Sequence, residues 1–93
     1  MVYTLKVSNR GRKGLKGLPP TIELPDDATV EFVKKEVARA TKTSDFNRIG
    51  IFDKVSGKTF KDRNAVLWEQ EIVRKHGEIM VKDLGTIHTL IYM

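Results

Sequence analysis

The chain has 93 residues, of which 40% are apolar and 31% charged, and this length supports one domain with a modest core. It contains no cysteine, which excludes disulfides and thiolate chemistry and suits a reducing compartment. The formal net charge of +5 speaks to attraction for anionic surfaces rather than to fold.

Residues 2–8 alternate, with Tyr3, Leu5 and Val7 on one side and Val2, Thr4, Lys6 and Ser8 on the other, the period of a half-buried strand. Residues 9–17 hold three glycines and read as a turn or extended loop. A second short strand follows at residues 21–24, so the two strands form a hairpin with a long basic tip. Pro25 ends that strand, and Thr29 is the expected N-cap of a helix, with Glu31 opposing the positive helix end. Val30, Val33, Val37 and Ala40 recur at helical spacing and predict one apolar stripe. Phe32 falls off that stripe. It is expected to pack under a neighbouring loop, with partner contact as the alternative.

Residues 41–45 are polar and end the helix. A third strand is expected over residues 48–53, with Ile49 and Ile51 on one face, then a turn at 54–57 and a brief strand at 58–60. In residues 62–75, Val66, Leu67, Ile72 and Val73 suggest a helical turn or loop on the core, with Trp68 as a lid or a partner anchor. Residues 78–83 form the last strand, its core pair being Ile79 and Val81. Strand, strand, helix, strand, strand, strand is the order of the ubiquitin-like β-grasp. The expected fold is therefore α+β, a mixed sheet of four to five strands with one main helix across it.

Chemistry-bearing motifs are sparse. His76 and His88 stand far apart with no ligand-spaced partner, so no metal site is expected. Residues 56–59, Ser-Gly-Lys-Thr, end like a phosphate-binding loop, but the motif's earlier glycine is replaced by Phe52 and no helix is expected after it. A turn is the better reading. Asp26, Asp27, Asp45, Asp53 and Asp62 fall at turns and helix starts, where carboxylates accept backbone hydrogen bonds. No catalytic pair emerges.

Arg10, Arg12, Lys13 and Lys16 share one segment without an acid, while Glu23, Asp26, Asp27 and Glu31 follow. These four cations are either a solvated hairpin tip or a contact for an anionic surface. No aromatic interleaves them, so a stacking platform for nucleic acid is missing. No signal peptide is visible and no run reaches the ~20 apolar residues of a membrane helix, so the expectation is a soluble fragment.

Several stretches then resemble one family. They are residues 7–11 with Leu18-Pro19, residues 22–30, residues 47–50 with 57–63, and above all Val81-Lys82-Asp83-Leu84-Gly85. In this order they resemble the N-terminal ubiquitin-like domain of the very-long-chain trans-2-enoyl-CoA reductases, especially fungal ones. The resemblance spans residues 2–85, with residues 86–93 as a tail that loosely echoes the family's lead-in to a membrane domain. It implies a parent enzyme of the endoplasmic reticulum membrane that performs the NADPH-dependent last step of fatty-acid elongation. It also implies that these 93 residues are a cytosol-facing, non-catalytic interaction domain holding neither catalytic residues nor cofactor. The implied partners are other elongation enzymes, the parent's own catalytic domain, or an anionic membrane surface. Conjugation as a modifier is not expected, because no diglycine ends the chain. The alternative is a free-standing basic adaptor for RNA or an acidic protein.

Overall fold

A computed structural model describes residues 1–11 and 15–84. Four strands and one principal helix account for its architecture: β1 (Val2–Asn9), β2 (Thr21–Pro25), α1 (Val30–Thr41), β3 (Ile49–Asp53), a short α2 (Glu71–His76) and β4 (Glu78–Asp83). Single 3-10 turns at Phe46–Arg48 and Leu67–Glu69 precede β3 and α2.

The sheet order is β2-β1-β4-β3. β1 pairs antiparallel with β2 (Leu5 opposite Ile22) and parallel with β4 (Val7 opposite Ile79), while β3 pairs antiparallel with β4 (Ile51 opposite Val81). α1 packs across one face of this mixed sheet. The arrangement is that of a β-grasp, as the element order predicts.

The alternation read in the sequence decides which face is covered. Leu5, Val7, Leu24, Ile49, Ile51, Ile79 and Val81 point inward and are buried, against Val30, Val33 and Val37 of α1. Leu67, Val73 and Phe60 close the core from the side. Trp68 packs half-buried against the core, its ring centroid 4.2 Å from that of Tyr3.

Thr29 caps α1 as expected, its hydroxyl accepting from the Phe32 amide. Two other helix amides bond to backbone carbonyls: Val30 N–H donates to Ala65 O and Glu31 N–H to Arg63 O. At the other end Lys42 adopts a left-handed conformation (φ 57°), and Thr43 N–H returns to Ala38 O.

Three sequence expectations are corrected. Ala40 is exposed and Ala38 buried instead, because the chain folds back at Lys42 and covers that flank. The brief strand at 58–60 reduces to a single bridge between Thr59 and Phe52, since the chain then leaves the sheet to supply carbonyls to α1. Phe32 is not tucked under a loop: it remains 38% exposed on α1.

Leu5 is fully buried between both neighbouring strands and the helix. Leu5→Ala is expected to lower unfolding free energy by about 2–5 kcal/mol, and Thr29→Ala by about 1 kcal/mol, both measured by urea denaturation.

Candidate functional site

The basic segment is anchored at its base. Asn9 Oδ1 accepts from the Leu15 amide at 2.8 Å, while its Nδ2 donates to Leu15 O at 3.4 Å. Leu15 and Leu18 pack on the core. Gly17 takes φ +81° where a Cβ would stand 3.3 Å from Ala40 O, so the loop is laid against the end of α1.

Within this segment, Arg10 continues β1, donating its amide to Val81 O at 2.9 Å. Its guanidinium lies 4.4 Å from the centroid of Phe52, on the sheet face opposite α1. Lys16 is exposed in the turn beside Gly17. Arg12 and Lys13 lie outside the described residues.

Topology adds cations that sequence distance hides. Val81 lies opposite Asn9, so exposed Lys82 follows beside Arg10. Lys42 stands at the C-terminal end of α1, toward the same loop. Arg48, also at this end, is instead engaged with Asp83 through two bonds of 3.1 and 2.7 Å. Leu84 closes the edge: its amide donates to Arg48 O at 2.7 Å, and its side chain fills the space over Gly50, where an added Cβ would meet it at 3.0 Å.

The aromatic candidates are not brought together with these cations. Phe32 lies on the outward side of α1, and Trp68 is half-buried against Tyr3. Tyr3 Oη is itself buried without a hydrogen-bond partner among the described residues. Burial, and then the charge of Asp26, push the Tyr3 phenol up to about 12.

A polar node absent from the sequence reading sits at the other end of the sheet. Asp53, at the end of β3, is fully buried and accepts from Ser56 N–H at 2.8 Å and Ser56 Oγ at 2.7 Å. His76 Nδ1 lies 3.0 Å from its second oxygen. Burial pushes the Asp53 carboxyl up, but the His76 and Ser56 hydrogen bonds outweigh it and bring it down to about 2. Ser56 bonds to the carboxylate rather than to the imidazole, so the three groups lack the nucleophile–base order of hydrolytic catalysis. The node instead closes the 53–58 turn, where Gly57 at φ +76° donates to Asp53 O. With the Ser56 and Lys58 amides bonded inside this turn, it holds no phosphate cradle.

The arrangement therefore offers a cationic end built from β1, β4, the 15–18 loop and α1. Among the described residues no three metal-ligating side chains converge, and no helix is long and apolar enough to cross a membrane. No family model, curated protein or solved structure matches the chain.

Two outcomes are expected. Because the Asp53 pKa falls on folding, its stabilisation is complete above the unfolded value of 3.8 and is lost as pH declines toward about 2. Asp53→Asn should flatten that acid limb in pH-dependent thermal melts. Tyr3→Phe removes an unpartnered hydroxyl and should raise unfolding free energy by about 1 kcal/mol in urea titrations.

Proposed function

We propose that these residues form the ubiquitin-like N-terminal domain of a very-long-chain trans-2-enoyl-CoA reductase, and that its work is interaction rather than catalysis. The observation that carries this reading is the ordered motif series from residue 2 to 85, ending in Val81-Lys82-Asp83-Leu84-Gly85. The β-grasp arrangement supports it, because two of the motifs fall at junctions the fold requires. Residues 22–30 cover β2, the turn and the α1 cap, and residues 57–63 carry the chain from the β3 turn to the helix start. A β-grasp hosts many roles, so the motif series and not the fold bears the weight.

On this reading the hydride transfer from NADPH belongs to a membrane domain following β4, and no residue here acts in it. The domain faces the cytosol at the endoplasmic reticulum and contacts other elongation enzymes, its own catalytic domain or the membrane surface. Fractionation of native cells with an antibody to this domain tests the assignment. The expected result is a membrane-bound band much larger than the 10.6 kDa chain. A soluble band near that mass would overturn it in favour of a free-standing basic adaptor, whose capture of RNA would show steep salt dependence.

A further inference from the structure

The net positive charge is gathered at one end of the molecule by chain direction. β1 and β4 run parallel and finish together, β3 begins beside them, and the 15–18 loop meets the end of α1. Arg10, Lys16, Lys42 and Lys82 converge on this pole from separate segments, and none has an acidic partner among the described residues. Of the acids at this end, Asp83 is paired with Arg48, while Asp45 accepts from the Asn47 amide and side chain and keeps its negative charge. Away from this pole acids and cations are interspersed: Glu31 is held by Arg63, Glu78 by Lys54 and Asp26 by the amino terminus, while Lys58, Lys61 and Lys75 lie outside these pairs.

We infer that this pole is a docking surface for an anionic phospholipid membrane. Three of its four cations are lysines, flexible point charges suited to headgroups rather than to bidentate recognition of one carboxylate. Phe46 and Phe52 on the flanking elements lie under Lys35 and Arg10, so neither ring offers a base a stacking face. Leu84, 57% exposed, adds an apolar contact where β4 ends. The choice of lipid over an acidic protein rests on the proposed reading, in which the chain beyond β4 enters a membrane. That tether holds the pole at high effective concentration near the bilayer, so individually weak contacts suffice. Attraction of about 1 kcal/mol per basic residue near an anionic leaflet corresponds to roughly fivefold in partition for each lysine.

The test is flotation of the 93-residue chain with vesicles of phosphatidylcholine, with and without phosphatidylserine. Binding is expected with phosphatidylserine alone and should weaken as salt shortens the Debye length. The triple variant Lys16→Gln, Lys42→Gln, Lys82→Gln should lose about a hundredfold in partition. The matched variant Lys58→Gln, Lys61→Gln, Lys75→Gln carries the same net charge and should stay near the parent chain. Circular dichroism checks that each remains folded, and Lys82→Gln alone, about fivefold weaker, serves if the triple variant does not. Equal loss in both triple variants, no binding to anionic vesicles, or capture of polyglutamate or RNA in place of vesicles would overturn the inference. Fractionation of the native protein is independent of these results, so the family reading and the docking surface can fail separately.

Discussion

The parallel pairing of β1 with β4 is the constraint on which the rest of the molecule depends. It joins the first strand to the last, placing both in the middle of the sheet with β2 and β3 outside. Until β4 arrives, the hairpin and β3 share no strand contact, so the sheet is completed by its most distant partners in sequence. The same pairing sends two chain segments out at one end. The strand direction thus sets Lys82 of β4 beside Arg10 of β1 and adds to the basic run that residues 10–16 carry locally.

The second seam joins α1 to the segment that follows β3. Thr29 bridges Val66, Leu67 N–H donates to Ala28 O, and the first two α1 amides donate to Ala65 and Arg63 carbonyls. A helix start ordinarily leaves such donors available to an anion. Here the chain's own backbone takes them, and Glu31 adds a negative charge bonded to Arg63. Residues 58–60 keep two backbone bonds to β3, Asp53 N–H to Lys58 O and Phe60 N–H to Ile51 O, and the chain leaves the sheet beyond Phe60, where the Arg63 and Ala65 carbonyls serve the helix.

Much of the scaffold was legible because its signals are local. Alternation in Val2–Asn9 and Glu78–Asp83, and the Thr29 cap, follow from side-chain period and hydrogen-bonding chemistry within a few residues. The departures are long-range. Ala38 is covered because Lys42 reverses the chain, which no helical stripe encodes. Asp53 and His76 meet because β4 runs beside β3 and α2 immediately precedes it, so the last residue of a strand and the last residue of a helix become a hydrogen-bonded pair. For the cationic end, sequence proximity singled out Arg10 and Lys16 but missed Lys42 and Lys82. Their association depends on loop 15–18 reaching the end of α1 and on the β1–β4 register.

The seat of Leu84 has a mechanical consequence. Its side chain occupies the hollow at Gly50 while its amide is bonded to Arg48, so the end of β4 is fastened to the start of β3 on both side-chain and backbone levels. Arg48 and Asp83 add a second fastening one residue earlier. The joint therefore has no swivel before residue 84. A pull applied through the chain there loads β4 across its hydrogen bonds to both neighbours, in shear along the strand rather than by peeling an edge. The domain can bear tension at Leu84 through its whole sheet.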